Sequence, residues 1–462
     1  MQVDRESRNV DGPDFVHGSD SGNGRARMVR ARATERRIPA VRYTPRGSMQ
    51  ALVYDISPAR WMVVKAASLV SKRACFGALS GLRLVDRPVP QVPGPGWVRL
   101  KTVLGGVCGT DLALIALRNH PATILQQFAQ FPAVLGHENV AVVDEVGPEV
   151  GGWEVGQRVC ADPAIGCVGR GASTLCSYCA AGRSSLCEHG GDGRFPPRAL
   201  IGLNGMTGGS WAGYFLAHQS QLHRVPEGVP DDIAVLVDPI SSATHAVLRR
   251  RPQANETVLV NGLGIVGLGV VASLRALGHG NRITAVARHG FQAELARQLG
   301  ATNVLQQTAV MSKRDRYQQV AEAVDGVRLS GRAGNQALVG GFGLTYECTG
   351  NRRGLTAALK WTRSRGTVVA VGTTGIARID TTPIWFDELE VLGANGRQVE
   401  SLDGRQVHSY DLVLEWLRDG RLDLASLRAR RFRLSDYRAA LGALLTRSSG
   451  PIVKAAFDPH EA

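Results

Sequence analysis

From Met49 to about Pro230 the chain is a series of short runs broken by glycine and proline: QALVYD, LRLVDRP, GWVRLKTVLGG, NVAVVDEVG, GQRVCAD, GYFLAH and QLHRVP. Apolar–polar alternation bounded by such breakers predicts short strands, and few long amphipathic helices interrupt the series. The expectation is a compact, mostly antiparallel β domain whose loops carry chemistry. After Asp231 the texture changes. Apolar runs such as TVLVNG and RITAVAR alternate with the helical stretches IVGLGVVASLRALG and FQAELARQLGA, and the alternation continues through GLTYECTG, GLTAALKWTR, GTVVAVGTTG and LEVLGANG. Strands separated by crossover helices predict about six parallel strands in a doubly wound, nucleotide-binding α/β sheet. Val327 to Gly343 reads as a glycine-rich loop without a role. Beyond Gln398, a helix at YDLVLEWLRDG, the stretch RFRLSDYRAALGALLT and the apolar strand PIVKAAF are expected to return to the first domain.

A chain of 462 residues, 44% apolar and 20% charged, has room for about two or three ordinary globular domains. The net charge of +14 raises the question of nucleic acid, but arginine dominates the excess, as it does under GC-rich codon usage. Part of that excess lies in SGNGRARMVRARATERRIPAVRYTPRGS, residues 21–48, which is poor in large apolar residues and has no helical or alternating periodicity. Residues 1–48 are therefore expected to be a disordered tail. The N-terminus MQVDRESRNVDGPDF has no signal pattern, and no run approaches the ~18 apolar residues of a membrane span. A cytoplasmic protein without a membrane partner is expected, its thiols reduced and its cysteine cluster available to metal rather than to disulfides.

TVLVNGLGIVGLG sets Gly262, Gly264 and Gly267 after an apolar strand and before a helix that opens with Ile265 and Val266. This is the spacing that makes a tight turn, admits a pyrophosphate and packs helix on strand, with the phosphates at the helix N-terminus. The second strand should then end in an acid that binds the ribose 2′-hydroxyl, yet RITAVARHG offers Ala287, Arg288 and His289. A guanidinium there suits a 2′-phosphate, so NADP is preferred and NAD is the alternative.

Candidate metal ligands stand in four places: Cys108 in GGVCGTDLAL, His137 and Glu138 in FPAVLGHENVAVV, Asp238 in AVLVDPISSATHAV, and Cys167, Cys176, Cys179 and Cys187 in a run spaced C-x8-C-x2-C-x7-C. In this order, together with the glycine turn, the motifs CGTD, GHE, four cysteines, DP and GLGIVG resemble the zinc-dependent medium-chain dehydrogenase/reductase family of alcohol, polyol, threonine and glucose dehydrogenases. The likeness runs from Met49 to the end.

The resemblance implies a GroES-like catalytic domain over 49–238 with a structural-zinc lobe, a Rossmann NADP-binding domain over 239–398, and a C-terminal return over 399–462. It implies two Zn²⁺ ions. Cys108, His137 and a carboxylate would hold the catalytic one, the carboxylate being Asp238 with Glu138 entering or leaving, and Asp111 would orient His137. The four cysteines would hold the structural one. The first cysteine interval is wider than the common family spacing, which leaves Cys160 as a substitute for Cys167. Cys75 and Cys348 are read as packed thiols. Thr110 matches the family's hydroxyl relay, whereas Ala113 stands where many relatives carry a histidine.

The activity implied is hydride transfer between NADP(H) and an alcohol or carbonyl, with zinc as Lewis acid, in a homo-oligomeric dimer or tetramer. LALIALRNHPATILQQFAQFP would border the substrate. Its apolar character favours a sparsely hydroxylated substrate, because an unpaired buried hydroxyl costs about 1–3 kcal/mol. The competing readings are a metal-free quinone or enoyl reductase, and a nucleotide-binding scaffold whose basic tail holds nucleic acid.

Overall fold

The computed structural model describes residues 47–191, 194–446 and 451–461. The expected tail at 1–48 lies outside them except for Gly47 and Ser48. The first strand, Ser48–Tyr54, pairs antiparallel with Leu82–Pro88 and Ala133–Val134. A larger mixed sheet follows the order Arg430–Arg433, Ala455–Asp458, Trp97–Gly106, Glu138–Val146, Arg158–Ala161 and Leu222–Arg224, and Tyr214–His218 also pairs with Trp97–Gly106. Along Trp97–Gly106 the alternate residues Val98, Leu100, Thr102 and Leu104 are fully buried, as the two-residue period of a strand requires. Val98 and Leu100 meet Ala141, Val143, Val159, Phe215 and Leu222 in one apolar cluster.

The second sheet has six strands, all parallel, in the order Asn303–Gln306, Ile283–Ala287, Val258–Asn261, Phe342–Glu347, Thr362–Ala370 and Glu390–Gly393. Numbered along the chain the order is 3-2-1-4-5-6, so the direction of winding reverses between Val258–Asn261 and Phe342–Glu347. Doubly wound sheets bind ligands in the crevice at that reversal. A single core joins the sheets, for Leu104, Val140 and Cys160 of the first pack in the same cluster as Val258, Val260, Ile283 and Leu344 of the second.

Three local features depart from the sequence pattern. Val327 to Gly343 is not only loop: Val327–Ser330 and Gln336–Val339 form an antiparallel ribbon turned at Ala333, whose φ is +53°. The residues expected to hold few long helices include the helix Pro58–Val70 of 13 residues, N-capped by Ser57. The helix Val237–Arg249 runs unbroken through the expected boundary between residues 238 and 239. Among the described residues no helix is long and apolar enough to cross a membrane.

Candidate active site

Two glycines end the Trp97–Gly106 strand, and the chain turns there into the helix Gly109–Ile115 with Cys108 at its N-cap. Gly106 has no alternative, because a Cβ would stand 2.4 Å from Glu138 Oε2. The Cys108 backbone N–H donates to Asp111 Oδ2 at 3.0 Å, and Thr110 Oγ1 lies 3.6 Å from Cys108 Sγ. The other oxygen of the buried Asp111 carboxylate, Oδ1, stands 3.4 Å from His137 Nδ1. His137 and Glu138 follow Gly136, whose φ of +96° and closeness to Trp211 exclude a side chain.

The ligand atoms of Cys108, His137 and Glu138 all lie within 4.8 Å of one another. Glu138 Oε1 is buried without a hydrogen-bond partner. Glu138 is answered by the buried Lys454 ammonium, which forms an ion pair with Oε2. Burial alone would lower the Lys454 pKa, but the Glu138 charge raises it above the ordinary lysine value. A cysteine sulfur, an imidazole and a carboxylate oxygen without a partner, converging on one point, fit a borderline-soft divalent cation such as Zn²⁺.

Asp238 lies outside that group. Its Oδ1 accepts from Tyr410 Oη at 2.6 Å and Arg397 Nη1 at 2.9 Å, and its Oδ2 from the same Nη1 at 3.2 Å. Arg397, held at a φ of +74°, also reaches Asp162 Oδ1 at 3.6 Å, and His408 Nε2 stands 3.5 Å from Asp162 Oδ2. Burial would raise the Asp162 pKa, yet His408 and Arg397 hold it below the ordinary range. The carboxylate that converges on Cys108 and His137 is therefore Glu138, while the one expected at Asp238 neutralises a buried guanidinium. Lys454, Arg397, Tyr410 and Asp162 were not singled out in the sequence. Lys454 alone left a signal there, a lone lysine inside the apolar run PIVKAAF.

The glycine turn has the predicted form. Gly262 has a φ of +100°, and a Cβ on Gly267 would fall 1.9 Å from the Gly262 carbonyl oxygen. A Cβ on Gly264 would meet nothing within 4 Å, so the space above it is open to a ligand. Ile265 and Val266 begin the helix Ile265–Ala276, which presents its unpaired N–H groups to that space. The neighbouring strand Ile283–Ala287 is followed directly by the exposed Arg288. His289 caps the helix Gly290–Gln298 and stacks on Phe291 at 5.8 Å.

The sulfurs of Cys167, Cys176, Cys179 and Cys187 also lie within 4.8 Å of one another. Backbone N–H groups donate to them, Cys167 to Cys179 Sγ at 3.3 Å, Cys176 to Cys167 Sγ at 3.4 Å and Cys179 to Cys176 Sγ at 3.4 Å. Burial opposes ionisation of the Cys176 thiol, but donors including the N–H groups of Glu188 and Cys179 bring it down to about 6. Four thiol donors in one small lobe fit a tetrahedral Zn²⁺. Cys160 stands apart from the four, donating to the Ala234 carbonyl at 3.4 Å. Cys75 is buried, and Cys348 packs against the glycine turn. A third group, His223, His408 and Asp411, has its two rings stacked at 4.4 Å and 22°. Ring-nitrogen lone pairs lie in the ring planes, so two stacked rings do not aim at one ion.

Residues 94–227 match the family model for the alcohol dehydrogenase GroES-like domain, and residues 266–409 that for the zinc-binding dehydrogenase domain. The chain is 28% identical over 369 residues to an L-threonine 3-dehydrogenase of Anaeromyxobacter sp. (strain K), covering 80% of this chain and 93% of that relative. In fold it is similar to a Sinorhizobium meliloti 1021 crystal structure bound to NADP, with a TM-score of 0.62, 22% identity and coverage of 89% and 100%. It is also similar to acetophenone reductase from Geotrichum candidum in complex with NAD, with a TM-score of 0.64, 21% identity and coverage of 89% and 97%. The two matched models together cover more than half of the chain, one on the sheet that carries Cys108, His137 and Glu138 and the other on the sheet that carries the glycine turn, and on these grounds the chain belongs to the zinc-dependent medium-chain dehydrogenase/reductase family of oxidoreductases.

Proposed function

We propose that the protein is an NADP-preferring, zinc-holding dehydrogenase or carbonyl reductase for a small, sparsely hydroxylated alcohol–carbonyl pair. The observation that carries this reading is the convergence of Cys108, His137 and Glu138 within 4.8 Å. In this reading residues 49–238 and 399–462 form the catalytic domain and 239–398 the cofactor domain. Cys108, His137 and Glu138 hold a catalytic ion, and Cys167, Cys176, Cys179 and Cys187 a structural one. When bound, zinc supplies Lewis-acid polarisation of the substrate oxygen, and the nicotinamide supplies or accepts the hydride.

The chain's own residues do the rest. Asp111, facing His137 Nδ1, fixes the tautomer so that Nε2 is the free lone pair. Burial raises the Glu138 pKa and Lys454 offsets part of that rise, favouring the charged form, while Arg397 with Tyr410 keeps Asp238 from competing for the ion. Thr110, exposed and beside Cys108, takes the proton of the substrate hydroxyl; Ala113 offers no imidazole, so the proton passes to solvent. Leu112 and Leu114, half-buried next to the site, favour a substrate with few hydroxyls to satisfy. Gly264 and the helix N-terminus cradle the pyrophosphate, and Arg288, with no acid beside it, takes the 2′-phosphate. Exposed Trp385 and Phe386 near the open edge strand Glu390–Gly393 support a dimer or tetramer, and reduced thiols a cytoplasmic setting.

Metal analysis with paired kinetics tests the reading. We expect close to two zinc ions per chain, and a loss of turnover of more than about 100-fold in Cys108→Ser, since even the outer partners of metal ligands cost 10–100-fold. Arg288→Ala should weaken NADP by about 10–100-fold and leave NAD unchanged, the worth of a charge-assisted bond. One zinc per chain with chelator-resistant turnover would instead identify a metal-free reductase.

A further inference from the structure

The helix Pro58–Val70 faces the wrong way for a surface helix. Val64 and Ser68 are its buried residues, and Lys65 donates to the Leu117 carbonyl at 2.6 Å. Its solvent side consists of Ala59, Met62, Val63, Ala66, Leu69 and Val70. The exposures are 63% for Met62, 83% for Leu69 and 93% for Val70. These positions recur at three- and four-residue steps, so they form one stripe along the helix. Soluble helices turn such a stripe to the core, and exposed apolar surface of this kind marks an interaction site.

The helix is not needed to close its hairpin. Tyr54 and Leu82 stand directly opposite in the paired strands, a separation that a two-residue turn closes, yet the chain makes the excursion 55–81 between them.

Charge identifies the occupant. Between Asp55 and Asp86 the chain has no acidic residue and carries Arg60, Lys65, Lys72, Arg73 and Arg83. Lys65, Lys72 and Arg118 lie near enough to the buried Cys75 to offset part of the effect of burial on its thiol. Lys72 and Arg73 are exposed at the C-terminal end of the stripe. An apolar stripe that ends in the exposed cations Lys72 and Arg73 and carries no acid within the helix complements the headgroup region of an anionic bilayer.

We infer that the Pro58–Val70 helix is an in-plane anchor that rests the enzyme on an anionic lipid surface. The helix is too short to span a bilayer at about 1.5 Å per residue, and lying in the interface does not require it to.

Vesicle co-sedimentation of the full chain tests this, comparing phosphatidylglycerol-containing with pure phosphatidylcholine vesicles. Binding should be at least about tenfold tighter to the anionic vesicles and should fall with added salt. Met62→Glu combined with Leu69→Glu should weaken it at least about tenfold, with melting temperature and turnover unchanged, since both side chains are exposed. The Arg-rich N-terminal stretch supplies the control. A form lacking residues 1–46 should still bind, and the glutamate pair should abolish that binding. The inference is overturned if the full chain ignores anionic vesicles or if the glutamate pair leaves binding intact. It is equally overturned if the pair changes only the oligomeric state, which would make the stripe a contact between copies.

Discussion

At the residue scale the site depends on small side chains and outer partners as much as on ligands. Asp111 touches His137 but is placed to orient it, so Asp111→Asn should cut metal affinity by about 10–100-fold, measured as zinc retained per chain after dialysis against a graded chelator. Gly267 has no room for a methyl group, since a Cβ would lie 1.9 Å from the Gly262 carbonyl. Gly267→Ala should destabilise the protein by about 1–3 kcal/mol and raise the dissociation constant of the nicotinamide cofactor, read by calorimetry and fluorescence titration.

These residues were legible in the sequence because their chemistry is local. Cys108, Thr110 and Asp111 share one turn, His137 and Glu138 are neighbours, and the three glycines are fixed by the geometry of one strand-to-helix bend. Lys454, Arg397 and Tyr410 were not, because the chain separation between each and its carboxylate carries no period or spacing. The same reason explains the carboxylate. Sequence order places Asp238 and Glu138 alike near the site, and only partners coming from afar separate them: Arg397 and Tyr410 occupy Asp238, while Lys454 takes one oxygen of Glu138 and leaves the other without a partner.

At the element scale, the four-cysteine lobe has no strand of its own among Cys167, Cys176, Cys179 and Cys187, only the four-residue helix Ser177–Ala180 and the turn Ser184–Leu186. Cys179→Ser should therefore leave the two sheets folded while the lobe loses its ion. We expect one zinc per chain and faster proteolysis between residues 167 and 189.

The buried charge network predicts a pH dependence. Asp162 is held below its ordinary pKa, so the native state binds fewer protons than the unfolded chain. The stability Asp162 contributes is present above about pH 4, the unfolded carboxylate value, and is lost as the pH falls through the lower folded value. Asp162→Asn should lower stability by about 1–3 kcal/mol at neutral pH and flatten the acid limb of urea midpoints measured from pH 6 to pH 3. The Val327–Ser330 and Gln336–Val339 ribbon escaped the sequence reading because each strand has four residues, too few for alternation to stand out among glycines.

At the scale of the whole molecule, the division into an antiparallel and a parallel sheet was legible because alternation and crossover periodicity are repeated many times. The sharing of one core was not, since each strand's pattern says that a face is buried and not against what. Leu104 and Val140 share their cluster with Val258 and Leu344, so one cooperative calorimetric transition is expected for the metal-loaded protein. Two separated transitions would show that the cluster does not couple the sheets.

The chain crosses between the sheets on Val237–Arg249 and again near Gly396, and the two crossings press on each other. A Cβ on Gly396 would stand 2.5 Å from the Ser242 Cα, and Arg397 bonds Asp238 at 2.9 Å. The helix and the returning segment are thus tied to each other by close backbone packing and by a buried ion pair. Any swing of one half against the other would have to part Gly396 from Ser242 and Arg397 from Asp238, so loosening that joint with Arg397→Ala should change how readily the crevice opens to reactants.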